Sequence, residues 1–280
     1  MFSTIPRRIR ARAGCQAAAV TFATACVAAS TACRDAHTIS GVTAASFAAA
    51  SPCPPTCGTP TPIPVAPPSW FKAFGSGVSV TRFGDTVFLK SNGVPDHKSP
   101  YFPRTDPRYE KYTGTNPDFF LNPNRIDTTH SFTFRIPANP KVAKGATPTD
   151  LGPIGIALNG VPLYNQYANM GVPVDSEADT FDQYNGHPQA DDIYHYHWEP
   201  LWLTRASKEA LVGVLLDGFP VYGPREYGKL VLAKSLDAAH GHYGATAEFP
   251  SGIYHYHTTS TAPYINGSGY AGKPGMVTYY

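Results

Sequence analysis

What this 280-residue chain lacks narrows its chemistry early. All five cysteines (Cys15, Cys26, Cys33, Cys53, Cys57) lie at or before position 57, so the body has no thiol nucleophile and no disulfide framework. Charged residues make up only 15 % of the chain, and residues 37–68 contain none. That excludes a coiled coil and an acidic disordered chain. Five of the 22 cationic residues (Arg7, Arg8, Arg10, Arg12, Arg34) fall in the first 36 positions, with Asp35 the single acid there. The remaining 17 cations face 19 acids, so the formal +2 of the whole becomes −2 in the body. Basicity therefore gives no ground for nucleic-acid binding. Gly-x-Ser-x-Gly, His-Glu-x-x-His and a phosphate-cradling glycine loop are all missing. The adjacent Asp191 and Asp192 would point to opposite faces of an extended segment, unlike a glycosidase pair.

The N-terminal segment reads as an export signal. A basic stretch, Arg7 to Arg12, precedes the uncharged, Ala-rich run Cys15–Ala29, and small residues follow. Residues 1–32 are expected to be a signal peptide, which places the protein in a secreted or periplasmic compartment. The run is short for a membrane span, so no integral span is expected after its removal. Thr31-Ala32-Cys33 is lipobox-like, but Ser30 and Arg34 fit poorly, making a lipid anchor at Cys33 the minor reading. Residues 33–68 form a low-complexity, proline-rich spacer in which Cys53 and Cys57 suit a small local disulfide.

Residues 69–280 carry β-type patterning. Helical periodicity is scarce, whereas Phe132-Thr-Phe-Arg-Ile136 alternates strictly; a short helix is expected only around Ser207 to Val212. The expected fold is all-β: a single, sandwich-like domain of two similar halves, with little helix. Repetition supplies the halves, about 155–200 and 213–260. Gly155-Ile-Ala-Leu-Asn-Gly-Val-Pro-Leu-Tyr164 matches Gly213-Val-Leu-Leu-Asp-Gly-Phe-Pro-Val-Tyr222, each with a tight-turn signal requiring positive φ. Asp182-x4-His187 matches Asp237-x4-His242, and Ile193-Tyr-His-Tyr-His197 matches Ile253-Tyr-His-Tyr-His257. Two halves related by a pseudo-twofold follow.

The doubled Tyr-His-Tyr-His, the two turns and Asn92-Gly-Val-Pro-Asp-His97 resemble the YHYH-domain family over roughly residues 75 to 272. The resemblance implies an exported protein with a suspected metal site. Members often carry cysteines near these blocks and this body does not, so a disulfide-braced site is not implied here.

On a strand, His195 and His197 share one face and Tyr194 and Tyr196 the other; His255, His257, Tyr254 and Tyr256 repeat this. Pseudo-symmetry is expected to bring the two strands together, so that His195, His197, His255 and His257 form one four-nitrogen cluster, with His187 and His242 completing or flanking it. Such ligation suits a transition metal ion, copper or zinc rather than calcium or magnesium. Asp182, Asp237 and Asp191 are candidates to orient ligands or relay protons, as are His97 and His240. The competing reading is a non-catalytic extracellular module with histidine and tyrosine as a polar core and a small-molecule or glycan ligand. Whether the metal would be catalytic or merely held stays open between these readings.

Overall fold

Residues 64–267 and 269–280 are described by the structure, a computed structural model. The expected leader, most of the spacer and the Cys53–Cys57 pair lie outside the described residues. Among the described residues, no helix is long and apolar enough to cross a membrane.

Period-two patterning builds the first sheet. β1 (Pro64–Val65), β2 (Ser79–Phe83), β3 (Thr86–Ser91) and β4 (Phe132–Pro137) pair antiparallel in order, so Pro64 and Val65 at the spacer's end already belong to the sheet. Phe132, Phe134 and Ile136 of β4 are buried while the residues between them are not, as their alternation predicts. β5 (Val142–Thr147) follows, exposed along its length.

The repeats build the second sheet. The first contributes β6 (Pro153–Ala157), β7 (Pro162–Tyr164), β8 (Gly186–Pro188) and β9 (Tyr194–Tyr196). β10 (Leu211–Leu215) and β11 (Pro220–Tyr222) open the second, a small hairpin of β12 (Arg225–Glu226) and β13 (Lys229–Leu230) follows, matched in the first by a turn closed by a Tyr167↔Pro173 bridge, and β14 (Gly241–Gly244) and β15 (Ile253–His257) close it. β16 (Tyr270–Gly272) pairs with β5, and β17 (Met276–Tyr279) joins β4 at the edge of the first sheet. The fold is β-dominated, with its two larger sheets sharing one apolar core.

The eight-stranded sheet runs β14-β15-β11-β10-β6-β7-β9-β8, which is palindromic in repeat-equivalent strands. β6 and β10 pair antiparallel through Gly155↔Leu215, Ile156↔Val214 and Ala157↔Gly213. Ile156 and Val214 are equivalent residues, so the pseudo-twofold passes through their pairing. Glycine is required beside it. A Cβ on Gly155 would stand 2.5 Å from the Val214 carbonyl oxygen, and one on Gly213 would collide with the Ile156 carbonyl.

The Asn159-Gly160 and Asp217-Gly218 turns are three-residue loops. Gly160 donates to the Ala157 carbonyl and Gly218 to that of Leu215, and positive φ falls on the glycines alone (88° and 86°). The expected helix around Ser207 is absent. The Ala210 N–H bonds back to the Ser207 carbonyl in a single turn, and β10 begins at Leu211 because Leu211–Leu215 is buried on both faces at the sheet's centre. Helical turns elsewhere among the described residues are short 3-10 segments, the longest being Val174–Thr180.

Candidate metal centres

The two Tyr-His-Tyr-His strands do not meet. β9 pairs parallel with β7, and β15 pairs parallel with β11, so four strands stand between them. Five strand spacings amount to about 24 Å. The single four-nitrogen cluster of His195, His197, His255 and His257 is therefore replaced by two clusters of three, one per half. The reason lies in pairing: the repeats join through their first hairpins, which pushes the histidine strands outward.

Each cluster takes its third imidazole from the neighbouring antiparallel strand. His187 on β8 lies opposite His195, and His242 on β14 lies opposite His255. In the first half, Nε2 of His195 is 3.1 Å from Nε2 of His187 and 2.9 Å from Nε2 of His197. In the second, the three Nε2 atoms of His242, His255 and His257 stand 3.1 to 3.2 Å apart.

The other ring nitrogens decide what these contacts are. Nδ1 of His195 and of His255 each face the carbonyl two residues back, Ile193 and Ile253, both at 3.0 Å. His197 Nδ1 faces the Asn165 carbonyl at 2.5 Å, and His257 Nδ1 that of Gly223 at 2.8 Å. A carbonyl only accepts, so each Nδ1 holds the proton and each Nε2 presents a lone pair. His187 Nδ1 meets Thr180 Oγ1 at 2.7 Å; that hydroxyl donates to the Glu177 carbonyl, so His187 donates as well. In the first half three lone pairs thus converge with no proton between them. Such an arrangement repels itself unless a cation sits among them. Three nitrogens at tetrahedral zinc distances stand about 3.3 Å apart, close to the spacing observed.

Burial keeps these rings neutral. Desolvation pushes His187 and His195 well below the ordinary histidine value, brings His197 and His257 down to about 4, and lowers His255.

Two carboxylates that spacing did not single out complete the picture. Glu226, in the β12–β13 hairpin, places Oε2 3.5 Å from His242 Nε2 and Oε1 3.5 Å from His255 Nε2. Its Oε1 is buried without a hydrogen-bond donor, as a metal-facing oxygen would be. In the first half Glu177 Oε2 reaches only His187 Nε2, at 3.6 Å. No sequence signal marks Glu226, because the corresponding turn of the first repeat, closed by a Tyr167↔Pro173 bridge, carries Ala168 at its position; Glu177 likewise lies outside every matched block.

The expected orienting residues lie elsewhere. Asp182 accepts from Ser99 Oγ at 2.6 Å, from the Tyr194 hydroxyl at 2.8 Å and from the amides of Tyr184 and Gly186. Asp237 repeats this with the Tyr254 hydroxyl at 2.9 Å and the amides of Ala239 and Gly241. Both therefore anchor a turn to the tyrosine face, opposite the imidazoles, because alternation along the strand separates the two sets. The Tyr196 hydroxyl lies 2.7 Å from Nε2 of the buried His97 and accepts from Asn159 Nδ2, while the Tyr256 hydroxyl donates to Asp217 Oδ2. His97 thus buttresses this tyrosine face. His240 occupies the left-handed turn position equivalent to Asn185 (φ 75° and 65°), and its ring bonds Thr259 instead of joining His242. Asp191 is exposed at the mouth of a cavity over the first cluster.

A family model described as YHYH protein matches residues 133–233 and 227–269, which together carry both histidine clusters. No curated protein and no solved structure matches the chain.

Proposed function

The chain belongs to the YHYH family, and from that footing we propose that it is a two-site transition-metal protein, each half holding one ion of the copper or zinc class. His187, His195 and His197 form one ligand set; His242, His255 and His257, with Glu226, form the other. The observation that carries this reading is the convergence of unprotonated Nε2 atoms whose Nδ1 protons are spent on carbonyl and hydroxyl oxygens. Imidazole with a single carboxylate suits zinc or copper and fits poorly with calcium or magnesium, which seek oxygen-rich shells. A polar core alone leaves those lone pairs facing one another. The leader expected over residues 1–32 would place both sites in an exporting compartment.

Elemental analysis tests the reading. Protein stripped with EDTA, reloaded with zinc or copper and desalted should retain about two ions per chain. His195→Ala and His255→Ala should each lose one ion, and the double variant both. Retention of no ion by the wild type, or of two ions by the double variant, would refute it.

A further inference from the structure

The pseudo-twofold allows each residue of one site to be compared with its equivalent in the other, and the two sites differ in what they leave unsatisfied. In the second half, Glu226 stands 3.5 Å from each of two imidazole nitrogens, where it would supply a fourth ligand. Tyr222, whose ring meets His255 edge-on, has its hydroxyl bonded to Thr246 Oγ1 at 2.8 Å and Glu248 Oε2 at 2.7 Å. A cavity of about 480 Å³ adjoins this site and Arg225 lines it; the tyrosine hydroxyl is engaged, and the oxygen left without a donor, Glu226 Oε1, faces the imidazoles.

The first half is different at each of these points. Among the described residues, no carboxylate spans its imidazoles, since Glu177 reaches His187 alone. Tyr164, equivalent to Tyr222, stacks on His195 with ring centroids 4.0 Å apart and is only 4 % exposed, yet its hydroxyl is buried with no hydrogen bond of normal length, the Gln189 side chain approaching it without closing one. Tyr164 and Glu177 both line a cavity of about 540 Å³ that reaches His187, His195 and His197. A buried hydroxyl left unpaired is destabilising, and a ligand arriving from the cavity to bond it would relieve that cost.

The walls describe the ligand. Among the described residues, no lysine or arginine lines the cavity, whereas Glu177 and Asp191 do, so a divalent ion on the three imidazoles would be balanced by two carboxylates, leaving no net charge for an anion to seek. Side-chain amides (Asn124, Gln189) each spend one donor within the wall, on the Pro188 carbonyl and on Asp191, and keep a second donor and an acceptor for a ligand. The half-exposed rings of Tyr167 and Tyr279 give flat apolar faces at the rim. Amides and carboxylates for hydroxyl groups, with aromatic faces for C–H surfaces, suit a neutral saccharide, and the volume falls within the range of ligand pockets.

We infer that the two sites divide their work: the first-half site keeps a coordination position open to this cavity and binds a neutral, hydroxyl-rich ligand of saccharide size through Tyr164 and Glu177, while the second-half site only holds its ion. This rests on the two-site metal reading above.

The test uses full-length protein loaded with cobalt(II), with metal content measured on every sample. Imidazole, as a neutral coordinating probe, should shift the visible cobalt spectrum of the wild type and of His255→Ala, but not of His195→Ala. In calorimetry, at least one of glucose, xylobiose and cellobiose should bind and glucuronate should not. Tyr164→Phe should weaken that binding about three- to tenfold, whereas Tyr222→Phe should leave it unchanged. Two bound ions with an imidazole shift that survives His195→Ala, with no neutral sugar bound, or with Tyr164→Phe indistinguishable from wild type would overturn the division of work and leave the metal reading intact. Failure to bind cobalt at all would sink the metal reading itself.

Discussion

Residue type decided less than residue neighbours did. Histidine and tyrosine alternate along both strands, but what separates their roles is the hydrogen-bond partner each meets. Carbonyls fix the imidazole protons on Nδ1, and carboxylates or amides hold the tyrosine hydroxyls. The tyrosine face is therefore structural. Tyr194→Phe removes one donor from the fully buried Asp182, and should destabilise the fold by about 1–3 kcal/mol without changing the ion-to-chain ratio. Chemical denaturation beside elemental analysis reads both quantities, and a loss of metal in this variant would contradict the assignment. Glu226 shows the opposite case: an ordinary acid in sequence, made a ligand candidate only by the atoms that face it.

Among the elements, the central pair β6–β10 does most to organise the site. Its two glycines admit the close backbone approach that joins the halves, and everything outward follows by repeated pairing. At Gly155 an added methyl group meets the Val214 carbonyl and the Leu215 backbone within 3 Å, whereas at Gly145 on the exposed β5 it meets nothing within 4 Å. Gly155→Ala should therefore cost about 1–3 kcal/mol or more through overpacking, and Gly145→Ala should lie within about 0.5 kcal/mol of wild type. Equal denaturation midpoints for the two variants would refute the role given to the central glycines. The β12–β13 hairpin acts at the same scale, since it brings Glu226 to the second site where the matching turn of the first repeat carries Ala168.

For the molecule as a whole, burying so many neutral imidazoles ties stability to pH. His197, His240 and His257 are held down to about 4 by desolvation, while in the unfolded chain they titrate near about 6.5. Between those values the unfolded state binds more protons, so stability rises with pH and is lost on acidification from about 6.5 towards 4. Urea midpoints of the metal-stripped protein should fall steadily from pH 7 to pH 5. A flat profile would show that these rings are solvated and free to titrate.

Much of this architecture was legible in the linear sequence. Alternation identified Phe132–Ile136 as a half-buried strand, the Asn-Gly and Asp-Gly blocks marked two hairpins, and three matched blocks established duplication and the separation of histidine from tyrosine by face. These are local properties, set by the two-residue period of a strand and the conformational freedom of glycine at a turn. Which strands became neighbours is not local. Pairing across the pseudo-twofold is settled by long-range burial and backbone hydrogen bonding, and it placed the hairpins at the centre and the histidine strands outside, turning one expected cluster into two. For the same reason only the tertiary structure could bring Glu226 to one cluster, leave the Tyr164 hydroxyl unpaired at the other, and move Asp182 and Asp237 to the tyrosine side.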